Sequence, residues 1–183
     1  MTAYINDFRG EKVKKLIIIN GTMGVGKSTV CNMLLDKLVP SVYLDGDWCW
    51  NMNPFIVSEE NKTMVESNIA HLLKSYLNNS GYEYIIFCWV IHKESIFNKI
   101  LLPLKDFDFE LHKISLVCSQ EALKRRLEID VQKGKREADI INSSIERLEF
   151  YDEMDTIKVD VSDTTPEQTA IEIIKILQKG ETL

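Results

Sequence analysis

Residues Leu16-Ile-Ile-Ile-Asn-Gly-Thr-Met-Gly-Val-Gly-Lys-Ser28 decide how this chain folds. The first four form a continuous apolar run, which is typical of a strand buried on both faces of a parallel sheet. Residues 21–28 match the pattern G-x-x-x-x-G-K-[ST] at every defined position. Residues 30–38 then have the pattern of a short helix that ends before Pro40. This order of strand, glycine-rich loop and helix predicts a loop that wraps a phosphate chain.

The residue types in this loop suit the binding of a nucleotide. Glycines let consecutive backbone N–H groups turn inward around an anion, and the following helix N-terminus adds its partial positive charge. Lys27 supplies a cation for the β- and γ-phosphates, and the Ser28 hydroxyl is placed to hold Mg²⁺. We therefore predict that ATP or GTP binds with Mg²⁺ to Gly21, Thr22, Met23, Gly24, Val25, Gly26, Lys27, Ser28 and Thr29. The alternative is an accidental glycine-rich turn that binds no nucleotide.

The composition is that of an ordinary globular protein with one domain. The 183 residues are 45% hydrophobic and 27% charged, and the net charge of −6 argues against non-specific binding to nucleic acid or to an anionic membrane. The four cysteines form no C-x-x-C pair, which disfavours a zinc or redox site. Neither a signal peptide nor a membrane-spanning run is visible. We expect a cytoplasmic protein without nucleic-acid or membrane partners.

Strands and helices alternate along the remainder of the chain. This alternation favours an α/β domain with a largely parallel sheet and right-handed crossovers. Residues 1–14 are interpreted as a polar N-terminal extension, and residues 15–183 as the domain itself. Further strands are predicted at residues 41–44, 84–90, 113–118 and 156–160, and further helices after Ser58, at 93–104, after Ser119, at 141–151 and after Thr165.

With this loop at its first strand, the chain resembles the small P-loop kinases over about residues 15–179. That group includes the nucleoside monophosphate kinases, the shikimate and gluconate kinases and chloramphenicol phosphotransferase. The resemblance implies three layers, with a five-stranded parallel sheet in the order 2-3-1-4-5 and helices on both faces. It also implies that residues 161–166 border adenine, because they match the loop that does so in the family.

A mobile lid is the second feature that the resemblance implies. Residues 124–139 occupy its place after the fourth strand. Residues 124–136 hold six basic and two acidic residues, so that this segment carries +4 and the rest of the chain −10. Arg126 and Arg136 are the candidate catalytic arginines, although the family spacing R-x-x-x-R is missing because Asp130 stands four residues after Arg126. The alternative is a solvated helix face.

Two carboxylates after the second strand are the candidate acceptor-site acids. Asp45-Gly46-Asp47 looks most like the acceptor segment of the gluconate-kinase and antibiotic-phosphotransferase branches. Asp47 is the candidate general base, and Asp45 the candidate carboxylate near Mg²⁺, because the third strand lacks the Asp of a usual second metal motif. The alternative for this sequence is a simple turn.

Four further residues are candidates for an acceptor pocket. Trp48, Trp50 and Phe55 follow the two carboxylates, and His92 follows the third strand. Ligand sites are largely apolar and aromatic with a few polar anchors, so these side chains suit an acceptor. The alternatives are a satellite core for the aromatic residues and a structural role for the histidine.

These features together predict an ATP-dependent kinase that transfers the γ-phosphoryl group to a hydroxyl of a small-molecule acceptor. A nucleoside or nucleotide kinase is the alternative, although residues 45–77 contain no Arg to hold an acceptor phosphate. A third reading is a regulatory nucleotide-binding switch that hydrolyses slowly. A GTPase is disfavoured because the chain lacks an obvious N/T-K-x-D motif.

Overall fold

Strands and helices alternate through residues 13–179, the part of the chain that the computed structural model describes. The strands are β1 (Lys14–Asn20), β2 (Ser41–Asp45), β3 (Tyr84–Cys88), β4 (Phe109–Val117) and β5 (Ile157–Asp160). The helices are α1 (Lys27–Lys37), α2 (Glu59–Asn78), α3 (Glu94–Leu101), α4 (Gln120–Gln132), α5 (Ile140–Glu146), α6 (Glu149–Asp152) and α7 (Pro166–Lys179). Short 3₁₀ helices cover Gly46–Trp50 and Leu102–Leu104.

The five strands form one parallel sheet in the order β2-β3-β1-β4-β5, as predicted. β1 lies at the centre, where Ile18 is in register with Phe87 of β3 and with Lys113 of β4. Because side chains alternate along a strand, neighbouring residues of β1 supply opposite faces of the sheet. Because the strands are parallel, the carboxyl ends of β1, β2 and β3 lie at the same edge of the sheet, and the phosphate loop begins there.

A separate hydrophobic core covers each face of the sheet. Ile17 and Ile19 belong to the core shared with α1 and α7, whereas Leu16 and Ile18 belong to the core shared with α2 and α3. All four side chains are fully buried, and burial of such a side chain contributes about 1.5–3 kcal/mol. The predicted three-layer architecture is confirmed.

The predicted helix starts are confirmed by their capping contacts. The Ser58 hydroxyl accepts a hydrogen bond from the Asn61 amide (3.1 Å) at the start of α2. The Ser119 hydroxyl accepts one from Ala122 (3.1 Å) at the start of α4. At α7 the capping is reciprocal: Gln168 N–H donates to the Thr165 hydroxyl (3.2 Å), and Thr165 N–H donates to the Gln168 side chain (2.8 Å).

Several element boundaries differ from the sequence prediction. β3 ends at Cys88 instead of residue 90, and three residues after Cys88 the Ile91 amide donates to the Asn20 side chain (2.9 Å). The predicted helix 141–151 is divided into α5 and α6. There the Leu148 and Tyr151 amides donate to carbonyls three residues back, so the turn is tighter than an α-helix.

The description of the structure begins at residue 13 and ends at residue 179. Residues 1–12 of the predicted polar extension lie outside the described residues, and Lys14 already belongs to β1. Residues 180–183 also lie outside them. Within residues 13–179, none of the helices combines the length and the apolar composition needed to cross a membrane.

Candidate active site

The loop between β1 and α1 takes a conformation that depends on glycine. Gly21, Gly24 and Gly26 have φ angles of 142°, 81° and 109°, where other L-residues are strained. Gly26 precedes α1 and offers no side-chain cap to its first turn. The N–H groups of that turn are therefore available to an anionic ligand.

Lys27 is held against the loop by its own backbone. Its ammonium group donates hydrogen bonds to the carbonyl oxygens of Gly21 and Thr22, both at 3.0 Å. Burial lowers the pKa of Lys27, and the nearby Asp47 and Asp45 partly offset this. The Lys27 side chain is thus held at the centre of the loop, where a phosphate chain would bind.

Two buried polar side chains fix the loop to the rest of the fold. The Asn20 side-chain oxygen accepts hydrogen bonds from the Gly21 amide (2.8 Å) and the Ile91 amide (2.9 Å). The Thr22 hydroxyl donates to the Ser144 carbonyl of α5 (2.9 Å). Sequence reasoning missed the role of Asn20, although a polar residue at the end of an apolar strand is a signal that it bonds the neighbouring backbone.

Ser28 and Asp45 place two oxygen atoms that could ligate a metal ion beside the loop. The Ser28 hydroxyl donates to Asp45 Oδ2 (2.8 Å), and the Tyr43 hydroxyl donates to the same oxygen (2.9 Å). Hydroxyl and carboxylate oxygens suit Mg²⁺, which commonly binds one or two protein oxygens together with phosphate oxygens. Residues 13–179 contain no cluster of three or more His, Cys, Asp or Glu for a metal ion. The pair fits Mg²⁺ that arrives with a nucleotide.

Asp47 lies in the 3₁₀ helix that follows β2. Its amide donates to Asp45 Oδ1 (3.1 Å), so Asp45-Gly46-Asp47 is a capped turn as well as a pair of acids. Partial desolvation and the neighbouring Asp45 raise the pKa of Asp47, while Lys27 and a hydrogen bond from the Trp89 side chain act in the opposite direction. Although its environment shifts its pKa, the Asp47 side chain remains exposed to the adjoining cavities.

A cavity of about 410 Å³ opens beside the phosphate loop. Residues 23–30 form one wall, and the segment after β5 forms another through Val161, Thr164 and Pro166. That residues 161–166 border adenine stays a prediction. Asp47, Asp130 and Thr169 complete the lining with the two predicted arginines, Arg126 and Arg136.

The two arginines have different surroundings in this cavity. Arg126 donates to three backbone carbonyls: Val25 in the phosphate loop (3.2 Å), and Val161 and Ser162 (3.4 Å) after β5. Arg136 donates to the Asp130 carboxylate (3.3 Å), and its charge lowers the pKa of Asp47. Arg126 therefore links the two sides of the cavity, whereas Arg136 is paired with the Asp130 carboxylate.

A second cavity of about 720 Å³ adjoins the first. Its lining contains Trp48, Trp50 and Phe55, with Asp45, Asp47, Met23 and Asn51. The Trp50 and Phe55 rings lie 5.9 Å apart, and the Trp48 ring packs edge-on against Tyr43 at 5.3 Å. The structure thus brings the three predicted aromatic residues together in one place. Asp47 and Met23 line both cavities.

His92 is the predicted acceptor residue that the structure does not bring to this cavity. Its ring lies 6.2 Å from that of Phe150, in a separate surface cavity with Lys93 and Glu94. β3 ends at Cys88 and Asn20 bonds the Ile91 amide, so that His92 lies beyond the strand and outside the aromatic cavity.

Tyr43 and Trp89 are site residues that sequence reasoning missed. Tyr43 bonds Asp45, and its spacing of two residues on one strand was a signal that both share a face. Trp89 covers Gly46, where a Cβ would come within 2.6 Å of the indole, and it bonds Asp47. Gly46 is thus required for close packing, which a turn pattern alone does not reveal.

Comparison with known proteins assigns the chain to a family. The family described as AAA domain matches residues 17–149. No curated protein sequence matches the chain at a significant level.

Solved structures of similar fold come from several kinases and a resistance protein. The Deinococcus radiodurans tunicamycin resistance protein has a TM-score of 0.65 and 16% identity, covering 90% of this chain and 96% of its own. A gluconokinase from Sinorhizobium meliloti 1021 has a TM-score of 0.64 and 16% identity, with 93% and 95% covered. The Mycobacterium tuberculosis APS kinase in complex with AMPPNP and APS has a TM-score of 0.62 and 17% identity, with 91% and 98% covered. The chain belongs to the AAA-domain family and has the fold of the small P-loop kinases.

Proposed function

We propose that this protein transfers the γ-phosphoryl group of ATP to a hydroxyl group of a small-molecule acceptor. One observation carries the proposal: Asp47 lines both the cavity of the phosphate loop and the adjoining aromatic cavity. A kinase needs a donor and an acceptor site that meet at the reacting atoms. A nucleotide switch that only hydrolyses ATP has no need for the second cavity. The similar gluconokinase and APS kinase folds support the proposal.

The residues around Asp47 suit each part of the transfer. The acceptor hydroxyl oxygen attacks the γ-phosphorus, the bond between that phosphorus and the β–γ bridging oxygen breaks, and ADP leaves. The Asp47 carboxylate accepts the hydroxyl proton, since it is the acid exposed on the acceptor side. Lys27 and Arg136 stabilise negative charge on the transferred group, where the largest electrostatic contribution is expected.

Two further residues prepare the donor site. Ser28 and Asp45 would hold Mg²⁺, which when bound neutralises part of the charge on the phosphate chain. Arg126 differs from Arg136, because its guanidinium is occupied by three carbonyls. We assign it the task of joining the phosphate loop to the segment after β5, around the nucleotide.

The substitution Asp47→Asn tests the proposal. It retains size and shape but removes the base, so ATP affinity should stay nearly constant while acceptor phosphorylation falls about 10²-fold or more. ADP release, measured with a panel of hydroxylated acceptors, is the assay. Asp36→Asn is the matched control, because Asp36 is exposed on α1 and does not line either cavity. Wild-type acceptor phosphorylation by Asp47→Asn would show that the base assignment is wrong.

A further inference from the structure

The aromatic cavity combines acidic groups and aromatic rings without basic side chains. Two carboxylates, Asp45 and Asp47, contribute to its wall, and no Lys or Arg within residues 13–179 lines it. Asp45 is engaged, because Oδ2 accepts hydrogen bonds from Ser28 and Tyr43 and Oδ1 accepts one from the Asp47 amide. Asp47 is therefore the carboxyl group that is left to face an acceptor.

Basic groups lie on the donor side, where Lys27 and Arg136 line the phosphate-loop cavity. The negative donor ATP would occupy that side and engage both cations. An anionic acceptor would then meet a carboxylate and the donor phosphates without a cation in its own cavity to compensate. The charges of the site disfavour sugar acids, phosphates and nucleotides as acceptors.

The aromatic rings of this cavity suit a positively charged acceptor. The Trp48 side chain is 59% exposed and the Phe55 side chain 66% exposed, and both line this cavity. Trp50 lies beside Phe55, with ring centroids 5.9 Å apart. The face of an indole or phenyl ring attracts an organic cation, most strongly for Trp, and this is a common means of binding alkylated ammonium groups.

We propose that the acceptor is a hydroxylated organic cation, whose ammonium group lies among Trp48, Trp50 and Phe55 while its hydroxyl faces Asp47. This assignment rests on the proposed function for the identity of the cavity as an acceptor site. It follows from the aromatic faces, from the exposed carboxyl group and from a lining that, among residues 13–179, includes Lys27 and Arg136 only on the donor side.

A binding experiment on the full chain tests the charge preference. The probes are choline, its uncharged isostere 3,3-dimethylbutan-1-ol and the anion 4-hydroxybutyrate, each titrated into protein saturated with a non-hydrolysable ATP analogue and Mg²⁺. The indole N–H signals of Trp48 and Trp50 report binding by NMR. Choline should bind about tenfold more tightly than the isostere, since each exposed ring contributes roughly two- to fivefold. The anion should bind more weakly than either.

A ring substitution assigns the preference to this cavity. Trp48→Leu keeps an apolar side chain but removes an indole, so the ratio of choline to isostere affinity should fall about two- to fivefold. Phe150→Leu is the control, because Phe150 is an exposed aromatic residue in the separate cavity beside His92, and the ratio should not change. Equal or tighter binding of the isostere or the anion, unperturbed indole signals with choline, or an unchanged ratio in Trp48→Leu would each overturn the inference.

This readout is independent of phosphoryl transfer. If ATP binds but no acceptor stimulates ADP release, the proposed function fails while the preference for cations can still be measured. If acceptor-dependent ADP release is found with neutral or anionic compounds and choline does not bind, the inference fails and the proposed function stands.

Discussion

Alanine at Gly24 is expected to destabilise the protein more than alanine at Gly26, although both positions belong to the phosphate loop. Gly26 has a φ of 109°, and a Cβ built there meets no heavy atom within 4 Å. Gly24 has a φ of 81°, and its Cβ would lie 2.4 Å from Cδ2 and 2.9 Å from Cγ of Leu127. The pair therefore separates backbone strain from steric overlap.

The structure gives a magnitude for each substitution. The positive φ costs an alanine about 1–2 kcal/mol at either site. Leu127 is fully buried in a cluster with Leu123 and Leu148, so it has little room to move, and such overpacking adds roughly 1–3 kcal/mol at Gly24. We expect a loss in the free energy of unfolding of about 1–2 kcal/mol for Gly26→Ala and about 2–5 kcal/mol for Gly24→Ala.

Urea denaturation of the two variants measures the difference directly, provided that the m-values stay equal. A double variant that combines Gly24→Ala with Leu127→Ala should lose less stability than the sum of the two single variants, because the smaller side chain makes room for the new methyl group. If Gly24→Ala is as stable as Gly26→Ala, or the double variant is additive, the packing of α4 against the phosphate loop is not as described.

Three further predictions concern the chemistry. Lys27→Ala should abolish phosphoryl transfer while the circular dichroism spectrum stays native, since the ammonium bonds only loop carbonyls among the described contacts; unchanged ATP turnover would exclude the assigned role. Arg136→Ala should lower kcat more than it raises the KM for ATP, because its charge acts on the transferred group; steady-state kinetics with saturating acceptor would show the reverse if Arg136 only binds ATP. Because burial and Asp45 raise the pKa of Asp47, kcat/KM should fall with decreasing pH at values above those of an ordinary Asp, and this acid limb should be absent in the residual activity of Asp47→Asn.

The sequence predicted those parts of the fold that depend on local signals. The continuous apolar run of β1 and the glycine spacing of the loop are sufficient to predict a buried strand and a phosphate site. The helix caps at Ser58, Ser119 and Thr165 are equally local, because a side chain bonds an amide three residues later. The order of the strands is not local and was predicted only through the family resemblance.

The site details that sequence reasoning missed depend on contacts between distant segments. His92 lies outside the aromatic cavity, and the backbone just before it is bonded by Asn20, 71 residues earlier than Ile91. Arg126 bonds carbonyls of Val25 and Val161, which its own helix does not reveal. Such contacts follow from tertiary packing and have no periodic signature in the sequence.

Transfer of ³²P from [γ-³²P]ATP to an acceptor is the most direct test of the proposed kinase activity. The protein is incubated with Mg²⁺ and a mixture of small hydroxylated compounds that includes organic cations, sugars and sugar acids, and the labelled products are separated. We expect the label to move to an organic phosphate ester in the wild-type protein, and Asp47→Asn to form this product about 10²-fold more slowly or worse. Label found only as inorganic phosphate, at a rate independent of the mixture, would contradict this expectation and identify an ATP-hydrolysing protein instead.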